Sequence, residues 1–211
     1  MPSFSRSGSL VVALVAASLG SACLAKSPPA SASVPGRVAD RRGDARASAQ
    51  VPNPPDFVSA DAAVVDGSLV LTVSFAPGTL SDQTNITVYL DTDEDATTGT
   101  IAFLGDTQPI GADYVIRGLT PHNPTRAALT HETAPKQSVF AGVMDVALPG
   151  PDQRRFVVPL TRLGNDDGRL RFKLDCDQIV ASSAEGQKFT STMLSHLDQM
   201  PDLGALAGVV R

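Results

Sequence analysis

From Asp56 onward, apolar and polar side chains alternate in short runs that turn-forming residues interrupt about every ten positions, the rhythm of an antiparallel β-sandwich. Leu69, Leu71, Val73 and Phe75 fall on one face of a predicted strand, with Ser68, Val70, Thr72 and Ser74 on the other. Asp66-Gly67 ahead of it predicts a hairpin from the run Val58 to Val65. Further strands are predicted at Ile86 to Leu90, Ala112 to Arg117, Arg126 to His131, Ser138 to Leu148, Phe156 to Leu160 and Arg169 to Val180. Asn165-Asp166-Asp167-Gly168 reads as a tight turn before the last of these, and Thr190 to Met200 as a short helix or an ordered loop. In Arg169 to Val180, Leu170, Phe172, Leu174 and Cys176 alternate with charged residues. The Cys176 thiol is therefore expected in the core, with Asp175 and Asp177 facing solvent on either side of it.

The N-terminal pattern is of another kind. Arg6 precedes an apolar run from Leu10 to Leu19, and small residues follow it, the layout of a secretory signal peptide over residues 1–25. Ten apolar residues rise only about 15 Å as a helix, half the hydrocarbon thickness of a bilayer. Two outcomes fit: cleavage after Ala22 or Ala25 releases the protein, or Cys23 becomes the lipidated first residue of a bacterial lipoprotein. The second pattern asks for Leu three positions before the Cys, where this chain has Gly20. Residues 26–55 are rich in Pro, Ser, Ala and Arg and poor in apolar side chains, which predicts a disordered linker. The β-sandwich is then expected over residues 56–202, with 203–211 as a tail.

Charge narrows the partners. Residues 1–50 hold six Lys/Arg against two Asp/Glu, leaving eleven against twenty for 51–211, so the body of the protein is acidic and no nucleic acid is expected as partner. The acids concentrate in Asp91-Thr92-Asp93-Glu94-Asp95-Ala96-Thr97-Thr98-Gly99, directly after a predicted strand. Four acids in five residues repel one another, and a hard cation held by oxygen ligands would offset that repulsion. Asp91, Asp93 and Asp95 match the first, third and fifth positions of a calcium loop of the DxDxD kind. Ala96 and Ala102 replace the Gly and the bidentate Glu of an EF-hand, so further ligands must come from elsewhere, with Asp113 a candidate. The other reading is an exposed acidic turn that holds no metal.

VYLDTDEDATTG, GADYVI, VVPLTRLGNDDGRLRFKL and LDQMPD occur in that order. Over residues 56–202 the succession resembles bacterial extracellular β-sandwiches of the DOMON and family 9 carbohydrate-binding superfamily. The resemblance implies a jelly-roll-like sandwich, commonly calcium-stabilised, whose members bind sugars or, in some branches, haem. It implies Asp91, Asp93 and Asp95 as the metal loop and Asp113 as the acid of the GADY motif. Sugars are usually stacked on aromatic platforms, yet this chain has no Trp and only Tyr89 and Tyr114. Tyr89 lies on the face opposite Val88 and Leu90 and is the candidate ligand-binding residue; Tyr114 is expected in the core. Haem would need axial ligands from His122, His131, His196, Met144, Met193 and Met200, which form no recognisable pair.

The chain holds no GxSxG, HExxH, phosphate-binding loop or dinucleotide fingerprint. The function expected is an exported, non-catalytic, calcium-stabilised binding module for glycans or another cell-surface partner, touching a membrane only through a lipid on Cys23. The alternatives are a structural or accessory envelope protein, a haem-binding DOMON-like domain, or a hydrolase whose paired carboxylates the fold brings together.

Overall fold

The computed structural model describes residues 36–102, 108–119, 123–134, 137–185, 188–202 and 208–210. The expected signal peptide, Cys23, residues 26–35 and His122 lie outside the described residues. The described chain is all β: β1 (Gly36–Ala39), β2 (Phe57–Val65), β3 (Ser68–Phe75), β4 (Thr84–Asp91), β5 (Thr100–Ala102), β6 (Ile110–Ala112), β7 (Tyr114–Leu119), β8 (Asn123–Ala134), β9 (Gln137–Ala147), β10 (Gln153–Pro159), β11 (Leu170–Glu185), β12 (Lys188–Met200) and β13 (Gly208–Val210). A 3-10 turn, Leu160–Arg162, follows β10.

One antiparallel sheet runs in the order β1-β2-β3-β10-β9-β8-β7-β4-β11-β12, with β13 paired to β11 at Leu170 to Phe172, and it curls into a nearly closed barrel- or sandwich-like arrangement. β5 and β6 form a separate small hairpin. The predicted β2–β3 hairpin is present, and Asp66 and Gly67 both adopt the positive φ that a tight two-residue turn requires. The face of β3 carrying Leu69, Leu71, Val73 and Phe75 is buried, and the Phe57 and Phe75 rings pack 4.8 Å apart. Cys176 is likewise in the core, where burial pushes its thiol well above its ordinary value.

Three expectations fail. Residues 36–55 are not a tether: β1 pairs with β2 from Gly36↔Ala62 to Ala39↔Ser59, and Val51, only 2% exposed, belongs to the core. The Arg46 amide donates to the Leu197 carbonyl at 2.7 Å, and the Gly43 amide to the Asp56 carboxylate. One well-placed Val and a set of backbone bonds fix a segment whose composition reads as unstructured. Thr190 to Met200 is the greater part of strand β12 rather than a helix or loop. In the expected C-terminal tail, Gly208–Val210 is a strand paired with Leu170 to Phe172.

β9 and β10 pair only at Arg155↔Ala147 and Phe156↔Val146. Where they part, Arg162 from the 3-10 turn donates to the Ala141 and Val143 carbonyls at 2.8 and 3.2 Å, occupying acceptors that a neighbouring strand would otherwise take.

Candidate metal centre

Strand β4 ends at Asp91, which is fully buried, and the chain then leaves the sheet for the β5–β6 hairpin before returning as β7. Asp113 sits in the gap between β6 and β7, where its amide donates to the Leu90 carbonyl at 2.9 Å. Oδ2 of Asp113 accepts from the amide and hydroxyl of Thr92, at 2.8 and 2.9 Å, and from the Asp93 amide at 3.3 Å. This carboxylate therefore fixes the first turn of the acidic loop. Oδ1 of Asp93 accepts from the Asp95 amide at 2.9 Å, and the Thr98 hydroxyl bonds the same carboxylate.

Two glycines let the loop lie against the hairpin. A Cβ at Gly111 would stand 2.5 Å from the Asp95 carbonyl oxygen and 2.7 Å from that of Thr98. Gly99, at φ +58°, would place one 2.2 Å from the Ala112 oxygen.

Ligand oxygens of Asp91, Asp93 and Asp113 lie within 4.8 Å of one another. Asp95, the other expected ligand, stands outside this group and is exposed; its Oδ1 accepts from the Thr97 amide and hydroxyl, at 2.9 and 2.7 Å, which holds its carboxyl below the ordinary value. Glu94 turns away to an ion pair with Arg169 at 3.7 Å.

Asp91 is the electrostatic centre. Its Oδ2 accepts from Nη2 of Arg171, while its Oδ1 is buried with no hydrogen-bond partner. Burial pushes its carboxyl up to about 6; Arg171 opposes the shift, and Asp113 and Asp93 add to it. A fully buried carboxylate with one unsatisfied oxygen, facing two more acids, is a site short of positive charge. All its side-chain donors are oxygens, which suits a hard cation of the calcium class.

Tyr89 and Tyr114 divide much as their strand positions predict. Tyr114 is core and stacks on His131, with ring centroids 4.6 Å apart. Tyr89 is half-buried on the other face, with Arg117 bonded to its hydroxyl, and burial pushes the phenol up to about 12. It is not an open aromatic platform. Of the residues available to haem, Met144 and Met200 are buried in the core, His131 is stacked on Tyr114, and His196 is held by Asp175.

The expectation for Asp175 and Asp177 is overturned. Both are buried, as is Lys173 on the same face of β11. The hairpin between β4 and β7 folds back over one end of that face, where Lys173 Nζ donates to the Gln108 carbonyl at 2.7 Å. Further along, β12 bulges: Cys176 pairs with Asp198 but Gln178 with Leu194, so Ser195, His196 and Leu197 stand opposite Asp177 alone. His196 takes φ +56° there, its amide donates to Asp177 Oδ1 at 3.0 Å, and its Nδ1 lies 2.6 Å from Asp175 Oδ2. Alternation alone assigns these acids to solvent; the signal available in the sequence is the alternating series Arg171, Lys173, Asp175 and Asp177, four charges on one face of a strand whose other face is core.

Beside the bulge lies a cavity of about 280 Å³ lined by Asp44, Arg46, His196, Leu197, Asp198, Gln199 and Asp202. Burial and the neighbouring acids push Asp40 up to about 8, and burial together with Asp44 and Asp56 pushes Asp198 up to about 7 against the two amides it accepts from. Compared with known proteins, the chain matches no family model and no curated sequence.

Proposed function

We propose that this chain is an exported, non-catalytic β-sandwich module that calcium stabilises and that engages glycans or another cell-surface partner. The carrying observation is Asp91: a fully buried carboxylate with an unpartnered oxygen, converging with Asp93 and Asp113 within 4.8 Å. Asp91, Asp93 and Asp113 are the ligands in this reading, and Asp95 shapes the loop by holding Thr97. The export reading rests on the apolar run Leu10 to Leu19 and the small residues after it. A ligand would meet the polar face around Tyr89 and Arg117 through hydrogen bonds more than through ring stacking.

The test is thermal unfolding in calcium and in chelator. Extracellular modules bind calcium with dissociation constants of about 10⁻⁴ to 10⁻³ M. At ten times the constant, linkage contributes about 1.4 kcal/mol. That corresponds to a melting temperature higher by about 3 to 6 °C. Asp93→Asn keeps an acceptor for the Asp95 amide and the Thr98 hydroxyl but removes the charge, so the calcium effect should vanish while the fold survives. An unchanged melting curve in chelator sinks the calcium reading. A glycan array that stays silent, with no partner captured from cell envelopes, favours a structural envelope role over ligand binding.

A further inference from the structure

We infer that Asp175, Asp177 and His196 form a second cation site, separate from the acidic loop, which takes a first-row divalent ion of the zinc class. The three residues offer ligand atoms within 4.8 Å of one another. Proximity alone would not distinguish a site from a charged patch. What does is the state of the acceptors. Asp175 is 3% exposed, and while its Oδ2 meets the His196 ring, its Oδ1 is buried with no hydrogen-bond partner. Both oxygens belong to one carboxyl group, so the unsatisfied atom lies at the cluster itself. Asp177 Oδ2 receives only a long 3.5 Å contact from Asn85 Nδ2. Within the cluster, the buried Asp175 Oδ1 thus lacks a donor, a cost that a cation removes.

The donor set selects the class of ion. Calcium prefers six to eight oxygens, whereas one imidazole nitrogen with two carboxylates suits a smaller ion of intermediate softness. Access is one-sided: Asp175 and Asp177 are buried, but the His196 side chain is 58% exposed and lines the cavity beside Asp198. An ion would enter from that cavity, on the side of the exposed imidazole. The β12 bulge is what brings the imidazole over the acids. His196 is held there by its own amide on Asp177 Oδ1, so the ligand is positioned before any ion arrives.

The test uses the mature chain, stripped of metal, with calcium in excess so that the acidic loop is not titrated. Zinc is followed by calorimetry, and cobalt by its visible absorption, which reports nitrogen and oxygen coordination. One equivalent of each should bind. Asp175→Asn and His196→Gln should each weaken binding by about tenfold or more, since each removes a ligand. Asp44→Asn, which alters the neighbouring acidic cavity, should leave it unchanged. Absence of zinc binding overturns the proposal, as does equal affinity in His196→Gln, or loss of binding in Asp44→Asn instead. His196 is largely exposed, so His196→Gln reports on the site even where Asp175→Asn fails to fold. Failure of calcium to stabilise the protein leaves this result untouched.

Discussion

Arg171 and Asp91 are direct partners across β11 and β4, and they make one bond where their geometry allows two. Arg171 Nη2 donates to Asp91 Oδ2, while Nε of the arginine and Oδ1 of the aspartate are both buried without a partner. The carboxyl still titrates at about 6, so its desolvation outweighs the attraction of the guanidinium. This pair is therefore an incomplete neutralisation, with an oxygen left over for something else.

Removing Arg171 should expose that deficit. Arg171→Met leaves a buried carboxylate without its partner and should cost about 3 kcal/mol in chelator. In calcium the loss should be distinctly smaller, because the ion supplies the missing charge. Urea unfolding in both conditions measures the difference; equal losses would show that no cation reaches Asp91.

Val51 separates an anchored segment from a tether. Its amide donates to Ser48 Oγ at 3.0 Å, and its side chain enters the core. Val51→Ala should cost about 2 kcal/mol by leaving a cavity. A flexible linker would give no measurable change in the denaturation midpoint.

Stability should fall as pH rises across neutrality. An unfolded aspartate titrates near 4. In the folded protein Asp198 titrates at about 7 and Asp40 at about 8, raised first by burial and then by neighbouring acids. The folded state therefore holds protons that the unfolded state has lost. The stability this gives is fully present below about pH 4 and is lost as pH rises through 7 and 8. With chelator present, the melting temperature should drop between about pH 5 and about pH 8.5. Asp40→Asn, which cannot ionise, should flatten the drop and raise stability at the alkaline end. A profile of the same slope in that variant would rule out Asp40 as a source.

The longer central strands were legible because each carries a full period-two stripe, as Leu69 to Phe75 does. β1, β5, β6 and β13 are three or four residues long, too short to display a period. β12 hid for a different reason: its bulge at Ser195 to Leu197 breaks the alternation that would have marked it. At the acidic loop, local spacing pointed to Asp91 and Asp93, and the GADY motif to Asp113. Spacing could not tell that Asp95 would be taken up by Thr97. Alternation places Asp175 and Asp177 on the polar face of β11, but it distinguishes only the two faces of a strand and does not say whether the polar one is covered. Here the β4–β7 excursion covers one end of it and the β12 bulge the other.

The seam between β1 and β13 also dictates an order of events during synthesis. A Cβ on Gly36 would stand 2.1 Å from the Val209 oxygen, and one on Gly208 would meet the Phe172 ring and Val38, so the earliest and latest strands touch directly. A nascent chain can pair β2 with β3 and run the meander from β7 to β10 while it is still attached to the ribosome. It cannot bring β1 against β13 until the final strand has emerged. Contacts between such distant segments form slowly, and until then Phe172 and Val38 lack their cover. Among the described strands, the step that seals the β1–β13 seam therefore comes last.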